Sequence, residues 1–281
     1  MFTPLIAAIT GEGILAFMDA LIKGLTGRFP IIEVTFLRFA MGTLWAGLAF
    51  AAQKPAWPTR DAVRFNATRS GLVVITALSF FYALSKLPLA ECMALSFLAP
   101  TFIALFGVVL LGERFDWRIG TALVTGLIGM AIIVSGQIGA RPYAQDAWLG
   151  AAAIVLSAFV YGLVMVLLRH RATKDPLPAI VLFQNAGPAI VLAIPAMLVW
   201  TPPSAADLAL FLAVGALGVA GHTCLVSAFA RAEAARLAPA HYTVLAWGTL
   251  YGYLFFAEIP NVMTLLGAIL IVAAVLVSRA R

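Results

Sequence analysis

Long apolar stretches free of Asp, Glu, Lys and Arg dominate the chain: 92–112, 119–140, 147–168, 208–230, 237–257 and 259–278, with one more near 177–199 inside 176–206. Each has the ~20 residues that a membrane-spanning helix needs. Three earlier stretches are less clean. Residues 3–25 carry Glu12, Asp19 and Lys23, residues 31–52 carry Glu33 and Arg38, and residues 71–87 are short and end at Lys86. Together they predict an all-α integral membrane protein of ten transmembrane helices. The longest link, about 53–70, is too small for a folded domain, and the run Lys54–Arg69 reads as a solvated, lipid-facing charge cluster without chemistry.

Composition fits that pattern. Only 11% of the 281 residues are charged and 63% are hydrophobic, with mean hydropathy +1.03. Soluble domains carry ~25% charged residues, so a soluble enzyme, a nucleic-acid-binding domain and a disordered chain are all excluded. The formal charge of +6 fits basic loops facing anionic lipid. With the N-terminus inside, the inner loops hold Lys54, Arg60, Arg64, Arg69, Arg114, Arg118, Arg169, Arg171, Lys174, Arg231, Arg236, Arg279 and Arg281, and the outer loops only Lys23, Arg28, Lys86 and Arg141. This bias places both termini in the cytoplasm. Cys92 and Cys224 show neither metal spacing nor a disulfide framework. The first residues lack a basic signal-peptide region. A phosphate-binding G-x-x-x-x-G-K-[ST] loop is absent, which argues against ATP-driven pumping by this chain and leaves no ATPase subunit evident.

Shifting the sequence against itself by 145 residues aligns Ala83 with Ala228, Lys86 with Arg231, Ala90 with Ala235, Phe97 with Tyr242, Gly107 with Gly252 and Glu113 with Glu258. The basic pair and the Glu pair, at one offset and at equivalent helix ends, point to a duplication, as in many transporters. Each half, 1–140 and 141–281, then holds five helices. An odd number inverts the second half relative to the first. This arrangement, with Leu98-Ala99-Pro100 and Leu111-Gly112-Glu113 in one copy and Ala257-Glu258 closing the other, resembles the drug/metabolite transporter superfamily, EamA type. The second copy departs from the pattern: Ala257 replaces Gly112 and Leu245 stands where Pro100 would be. Size and aromatic-rich central helices are similar to the bacterial aromatic amino acid exporters of that superfamily. The resemblance implies export of amino acids or similar metabolites across a bacterial inner membrane.

Ionisable groups at bilayer depth cost about 2.5–3.5 kcal/mol each on insertion scales, so each needs a reason. Asp19 and Lys23, four residues apart, either neutralise one another near the headgroups or serve transport. Glu12, flanked by Gly11 and Gly13, has no local partner and is expected to pair with Arg38 across helices or to act in transport. His222 shares a stripe with Gly215 and Gly218, whose small residues favour close packing. His241 begins the face 241, 245, 248 and 252, aligned with Ser96, Pro100, Ile103 and Gly107. A mid-helix Pro100 would free the Ser96 carbonyl for an ammonium group. Tyr82, Tyr161, Tyr242 and Trp247 lie inside their spans, away from the interfaces where such side chains anchor. They form either cavity walls or core. The candidate substrate site is thus Tyr82, Ser96, Pro100, Tyr161, His222, His241, Tyr242 and Trp247, with Glu12, Asp19, Lys23 and Arg38 as coupling groups or structural ion pairs. No metal or cofactor is implied.

The central helices offer no carboxylate away from their ends and neither His has a sequence-adjacent carboxylate. The expected cargo is therefore a neutral amino acid with a large apolar or aromatic side chain, moved by alternating access as a facilitative uniporter. A proton-coupled exporter of multiple drugs or cationic compounds is the alternative, resting on Glu12 and Asp19. An intramembrane lipid-modifying enzyme lacks a convergent catalytic set: neither H-E-x-x-H nor G-x-S-x-G occurs.

Overall fold

The structure, a computed structural model, describes residues 3–86, 95–114, 116–135 and 147–256, with scattered positions between 262 and 273. Among the described residues there are helices and no strand. Helix α1 (Pro4–Thr26) opens where the Thr3 hydroxyl accepts from the Ile6 N–H at 3.3 Å. Pro4 follows at the first helical position, where no donor is needed. Helix α2 (Ile31–Gln53) stops at Lys54, which takes the left-handed conformation with φ 45°.

Helix α3 (Arg60–Lys86) corrects the expected 53–70 link and the short 71–87 span. It starts eleven residues earlier because the Thr59 hydroxyl caps it, accepting from the Ala62 N–H at 3.2 Å, with Asp61 in the first turn facing the positive end of the helix dipole. The loop is only 54–59.

Helix α4 (Leu98–Leu111) begins after a turn at Phe97, so the expected 92–112 span is broken there. It closes on Gly112 at φ 64°, a conformation in which a Cβ is costly. Then come α5 (Trp117–Ser135), α6 (Ala147–Ala172), α7 (Leu177–Leu198) and α8 (Ala205–Arg231). The last opens with reciprocal hydrogen bonds between Ser204 and Asp207. The expected 237–257 span is also broken: a four-residue α9 (Ala234–Leu237) and a 3₁₀ turn (Ala238–Tyr242) precede α10 (Thr243–Phe256). The expected 259–278 span falls largely, and Cys92 and Glu258 fall wholly, outside the described residues.

Among the described residues six helices, α1, α2, α3, α6, α7 and α8, are long and apolar enough to cross a membrane by length and composition, and α4 and part of α5 are shorter apolar helices. Their outer faces carry large exposed side chains such as Leu48, Ile190, Ile194 and Leu198. In water such a surface would aggregate; in a bilayer it faces acyl chains. The 145-residue spacing reappears in the elements themselves. It separates Arg60 from Ala205 and Lys86 from Arg231, the limits of α3 and α8. It also separates Leu98 from Thr243 and Leu111 from Phe256, the limits of α4 and α10.

Packing follows the same exchange. Helix α1 lies on α8 and α10, while α6 lies on α3 and α4; α2 and α7 lie on each other. At the two breaks, Phe97 and Tyr242 touch with ring centroids 5.4 Å apart. Close approach rests on glycine. A Cβ on Gly215 of α8 would fall 2.6 Å from the Met41 carbonyl carbon of α2, and one on Gly221 would fall 2.7 Å from Leu15 Cγ of α1. The Gly215 and Gly218 stripe therefore does pack helices closely. One end of the bundle is tied by Arg28–Asp207 at 2.6 Å and by Glu33, whose carboxylate accepts from the Thr201 N–H at 2.9 Å. At another, Glu113 accepts from the Ala234 N–H at 3.0 Å and Arg169 Nη1 donates to the Phe229 carbonyl at 2.5 Å.

Candidate functional site

A cavity of about 150 Å³ lies among α1, α2, α3, α6, α7, α8 and the two breaks. Helix α1 sends Glu12 and Asp19 into it, two turns apart on one face. Helix α2 sends Arg38, which is 5% exposed. Ser96 and His241 come from the two breaks, Tyr161 and Ser157 from α6, Gln184 from α7 and His222 from α8. Phe39, Phe80 and Phe81 supply aromatic wall.

The charged groups are ordered. Glu12 Oε1 lies 3.0 Å from His241 Nδ1, so the pair ties α1 to the 3₁₀ turn of the other half. The Tyr161 ring lies against the His241 ring, centroids 5.2 Å apart. Asp19 is within electrostatic range of Arg38, Glu12 and His241. The Arg38 guanidinium covers the Phe39 ring at 4.1 Å, and its Nη1 has no hydrogen-bond partner among the described residues. His222 Nδ1 meets the Gly218 carbonyl at 2.7 Å and must therefore donate to it. The cavity thus has a carboxylate flank on α1, a guanidinium flank on α2, and aromatic and apolar surface between.

Seven of the expected site residues line this space together: Glu12, Asp19, Arg38, Ser96, Tyr161, His222 and His241. The expected Glu12–Arg38 pair is replaced by Glu12–His241, because the break in the ninth span brings the imidazole to α1. The other five lie outside the lining. Tyr242 is fully buried and donates its hydroxyl to the Leu123 carbonyl at 3.1 Å. Trp247 is half-buried, stacks on Tyr251 and packs against Gly13 of α1. The Tyr82 ring lies 5.8 Å from Lys86 Nζ. Lys23 is in the last turn of α1. Pro100 is buried but sits in the first turn of α4. There its missing N–H falls among donors that have no intrahelical acceptor anyway, so it does not free the Ser96 carbonyl as a mid-helix proline would.

Sequence reasoning missed Gln184 and Ser157, which line the cavity. Gln184 and Asn185 are adjacent amides in the middle of an otherwise apolar span, which was the available signal. The Ser157 hydroxyl donates to the Thr76 carbonyl at 2.9 Å, joining α6 to α3. Arg69, expected in a solvated cluster, is 2% exposed inside α3. The correction follows from the early start of that helix, which carries Arg69 into the bundle.

Comparison with known proteins places this geometry in a family. The EamA-like transporter family matches residues 3–135 and again 148–280. The pseudopaline exporter CntI of Pseudomonas aeruginosa is 28% identical over 272 residues, covering 95% of this chain and 92% of its own. The S-adenosylmethionine uptake transporter of Rickettsia bellii is 27% identical, covering 92% and 87%, and the riboflavin transporter of Rhizobium johnstonii is 28% identical, covering 88% and 80%. A solved crystal structure superimposes with TM-score 0.78 at 22% identity, covering 98% of this chain and 94% of that one, a likeness of fold. With both halves matched and a helical membrane fold around a central cavity, this chain belongs to the EamA-like transporter family of the drug/metabolite transporter superfamily.

Proposed function

We propose that this protein is a carrier of small zwitterionic metabolites of the amino acid type, which it exports across a bacterial inner membrane by alternating access. The observation that carries the reading is the pair of opposed flanks in one cavity. Glu12 and Asp19 suit an ammonium group, Arg38 with its unpartnered Nη1 suits a carboxylate, and Phe80, Phe81 and Tyr161 suit a large apolar or aromatic side chain. The zwitterion then finds side-chain counter-charges on α1 and α2 instead of the backbone acceptors expected near Pro100.

The moving parts are two inverted five-helix repeats, 1–140 and 141–281, with both termini in the cytoplasm. Inversion is supported by the ends of the bundle. The first turn of helix α8 holds Asp207, which is bound to Arg28 in the α1–α2 link. Its counterpart α3 starts at the other end of α2. Two helices in equivalent register thus run in opposite directions. Relatives named for pseudopaline export and for S-adenosylmethionine uptake support a small-metabolite cargo and leave direction to be measured.

A second reading, proton-coupled export of cationic compounds, is favoured by the Glu12–His241 contact, since the expectation of uniport rested on a histidine without a carboxylate. Reconstituted vesicles preloaded with unlabelled amino acids decide between the two. Counterflow of labelled L-phenylalanine at zero pH difference supports the zwitterion carrier. Flux of organic cations alone, abolished by Glu12→Gln and driven by an imposed proton gradient, overturns it.

A further inference from the structure

Helix α7 carries two adjacent amides, Gln184 and Asn185, and adjacent helical residues point about 100° apart. Asn185 is spent on packing. Its amide N–H donates to the Val181 carbonyl at 2.9 Å, and a Cβ on Gly42 of α2 would collide with its Oδ1. Gln184 instead lines the central cavity, where it is 4% exposed and its Oε1 has no hydrogen-bond partner among the described residues. Its main chain lacks the usual donor as well, because Pro188, four residues on, has no N–H for the Gln184 carbonyl. A buried acceptor without a donor is costly, and in a carrier's cavity the cargo can supply one. The packing of α2 on α7 sets how far Gln184 stands from Arg38. Glu33, in the first turn of α2, accepts from the Thr201 N–H just beyond the end of α7. The two helices are therefore antiparallel, with Gly42 level with Asn185. Counting back four residues on α2 to Arg38 and one on α7 to Gln184 separates the two by roughly 7–8 Å along the bundle. An α-ammonium, two bonds from its own carboxylate carbon and within about 3 Å of it, cannot span that offset. The far end of a large side chain can.

We propose that Gln184 is a specificity-determining residue, whose side-chain oxygen accepts a hydrogen bond from a donor at the far end of the substrate's side chain. The inference rests on the zwitterion reading and narrows it. Arg38 and the α1 carboxylates take the two charged groups, with which charge-assisted hydrogen bonds are strongest. Phe80, Phe81 and Tyr161 flank the side chain, and the preferred cargo carries a hydroxyl or amine where phenylalanine ends. The competing explanation lies in the same cavity. Arg38 Nη1 is unpartnered too, and a side-chain rotation that joined it to Gln184 Oε1 would make the amide a structural partner of the arginine.

Five probes, titrated into detergent-purified full-length protein with affinity read from the dose dependence of thermal shift, separate these possibilities. They are L-phenylalanine, 4-fluoro-L-phenylalanine, L-tyrosine, 4-amino-L-phenylalanine and tyramine. The fluoro compound adds bulk at the ring end without a donor, and tyramine keeps the donor without a carboxylate. L-Tyrosine and 4-amino-L-phenylalanine are expected to bind about tenfold or more tighter than the two donor-free amino acids, which leave the buried acceptor unpaired. Gln184→Met, similar in shape but without the amide, abolishes that preference, and Gln184→Glu, which keeps an acceptor at the same reach, retains it. Equal binding of all four amino acids to the wild type, or a preference that survives in Gln184→Met, overturns the role of Gln184 and keeps the zwitterion reading. Tyramine bound as tightly as L-tyrosine, with both weakened in Gln184→Met, upholds the hydrogen bond and removes the zwitterion reading. No binding of any probe overturns both. Ligand-free stability supplies an independent readout. If the amide awaits a ligand, Gln184→Met does not lower the melting temperature; a clear fall marks Gln184 as a structural partner of Arg38 and overturns the proposal.

Discussion

The Glu12–His241 contact is the sharpest quantitative claim of this structure, because it joins the two halves through buried groups. The atoms are 3.0 Å apart and the side chains are 8% and 13% exposed. A hydrogen bond involving a charged group contributes about 1.5–3 kcal/mol net, and removing one buried partner leaves the other unsatisfied at about 1–3 kcal/mol more. Glu12→Ala and His241→Ala each lose the bond and orphan one buried partner, whereas the double variant loses the bond once and orphans neither. The coupling energy of the cycle is therefore expected at about 1.5 kcal/mol or more. A control exists in the same chain. Glu233 and Arg236 meet at 2.9 Å, nearly the same distance, but at 33% and 67% exposure. Solvent and side-chain entropy reduce such a pair to about 0.2–1 kcal/mol. Both cycles are measured by equilibrium denaturation of purified protein in mild detergent. Additivity of Glu12→Ala and His241→Ala within about 0.5 kcal/mol, or equal coupling in the two cycles, refutes the idea that burial makes this link strong.

Three further outcomes are expected. Gly215→Ala drives a Cβ against the α2 backbone near Met41, where overpacking costs about 1–3 kcal/mol, while Gly47→Ala meets nothing within 4 Å and gains up to about 1 kcal/mol of helix propensity; denaturation midpoints that move alike contradict the close α2–α8 approach. In a cysteine-free background, single cysteines at Arg28 and Thr201 are labelled by an impermeant thiol reagent on intact cells and those at Lys54 and Lys174 are not; equal labelling of all four ends the inverted topology. Tyr161→Ala weakens competition by L-phenylalanine in the counterflow assay more than Tyr82→Ala or Trp247→Ala, because only Tyr161 of the three lines the cavity; the reverse order removes the cavity from the transport path.

The apolar helices were legible from sequence and the direction their side chains face was not. Helix α8 follows from an uninterrupted apolar run preceded by Pro202, Pro203 and Ser204, with Asp207 completing the cap, so hydropathy and capping agree. For α3 they conflict. Arg60, Arg64 and Arg69 depress hydropathy across two turns, and only Thr59 and Asp61 mark the true start. Tyr242 and Trp247 fall in the 3₁₀ turn and in α10, outside the cavity lining expected for them. Helix α10 reads Thr-Val-Leu-Ala-Trp-Gly-Thr-Leu-Tyr-Gly-Tyr-Leu-Phe-Phe, apolar on every side, and such a helix carries no amphipathic stripe from which to read a face. The 3₁₀ turn before it, at about three residues per turn instead of 3.6, also shifts every later residue around the axis relative to a continuous α-helix. By contrast, the 145-residue offset was legible, since element limits such as Lys86 and Arg231 recur at the offset that aligned them in sequence.

The charges that made α1 and α2 the least clean spans are the ones that build the cavity. Glu12, Asp19 and Arg38 each lower the apparent fitness of their helices for a bilayer, yet all three line the same cavity. The cost of an intramembrane charge falls when it faces a cavity and an opposite charge instead of lipid, and here α1 and α2 bring opposite signs to the same space. Arguing from the third, fourth, eighth and ninth spans alone missed this, because those helices contribute imidazole, hydroxyl and aromatic groups and no carboxylate. In a chain with 11% charged residues, a charge kept inside a span is the most informative position in that span.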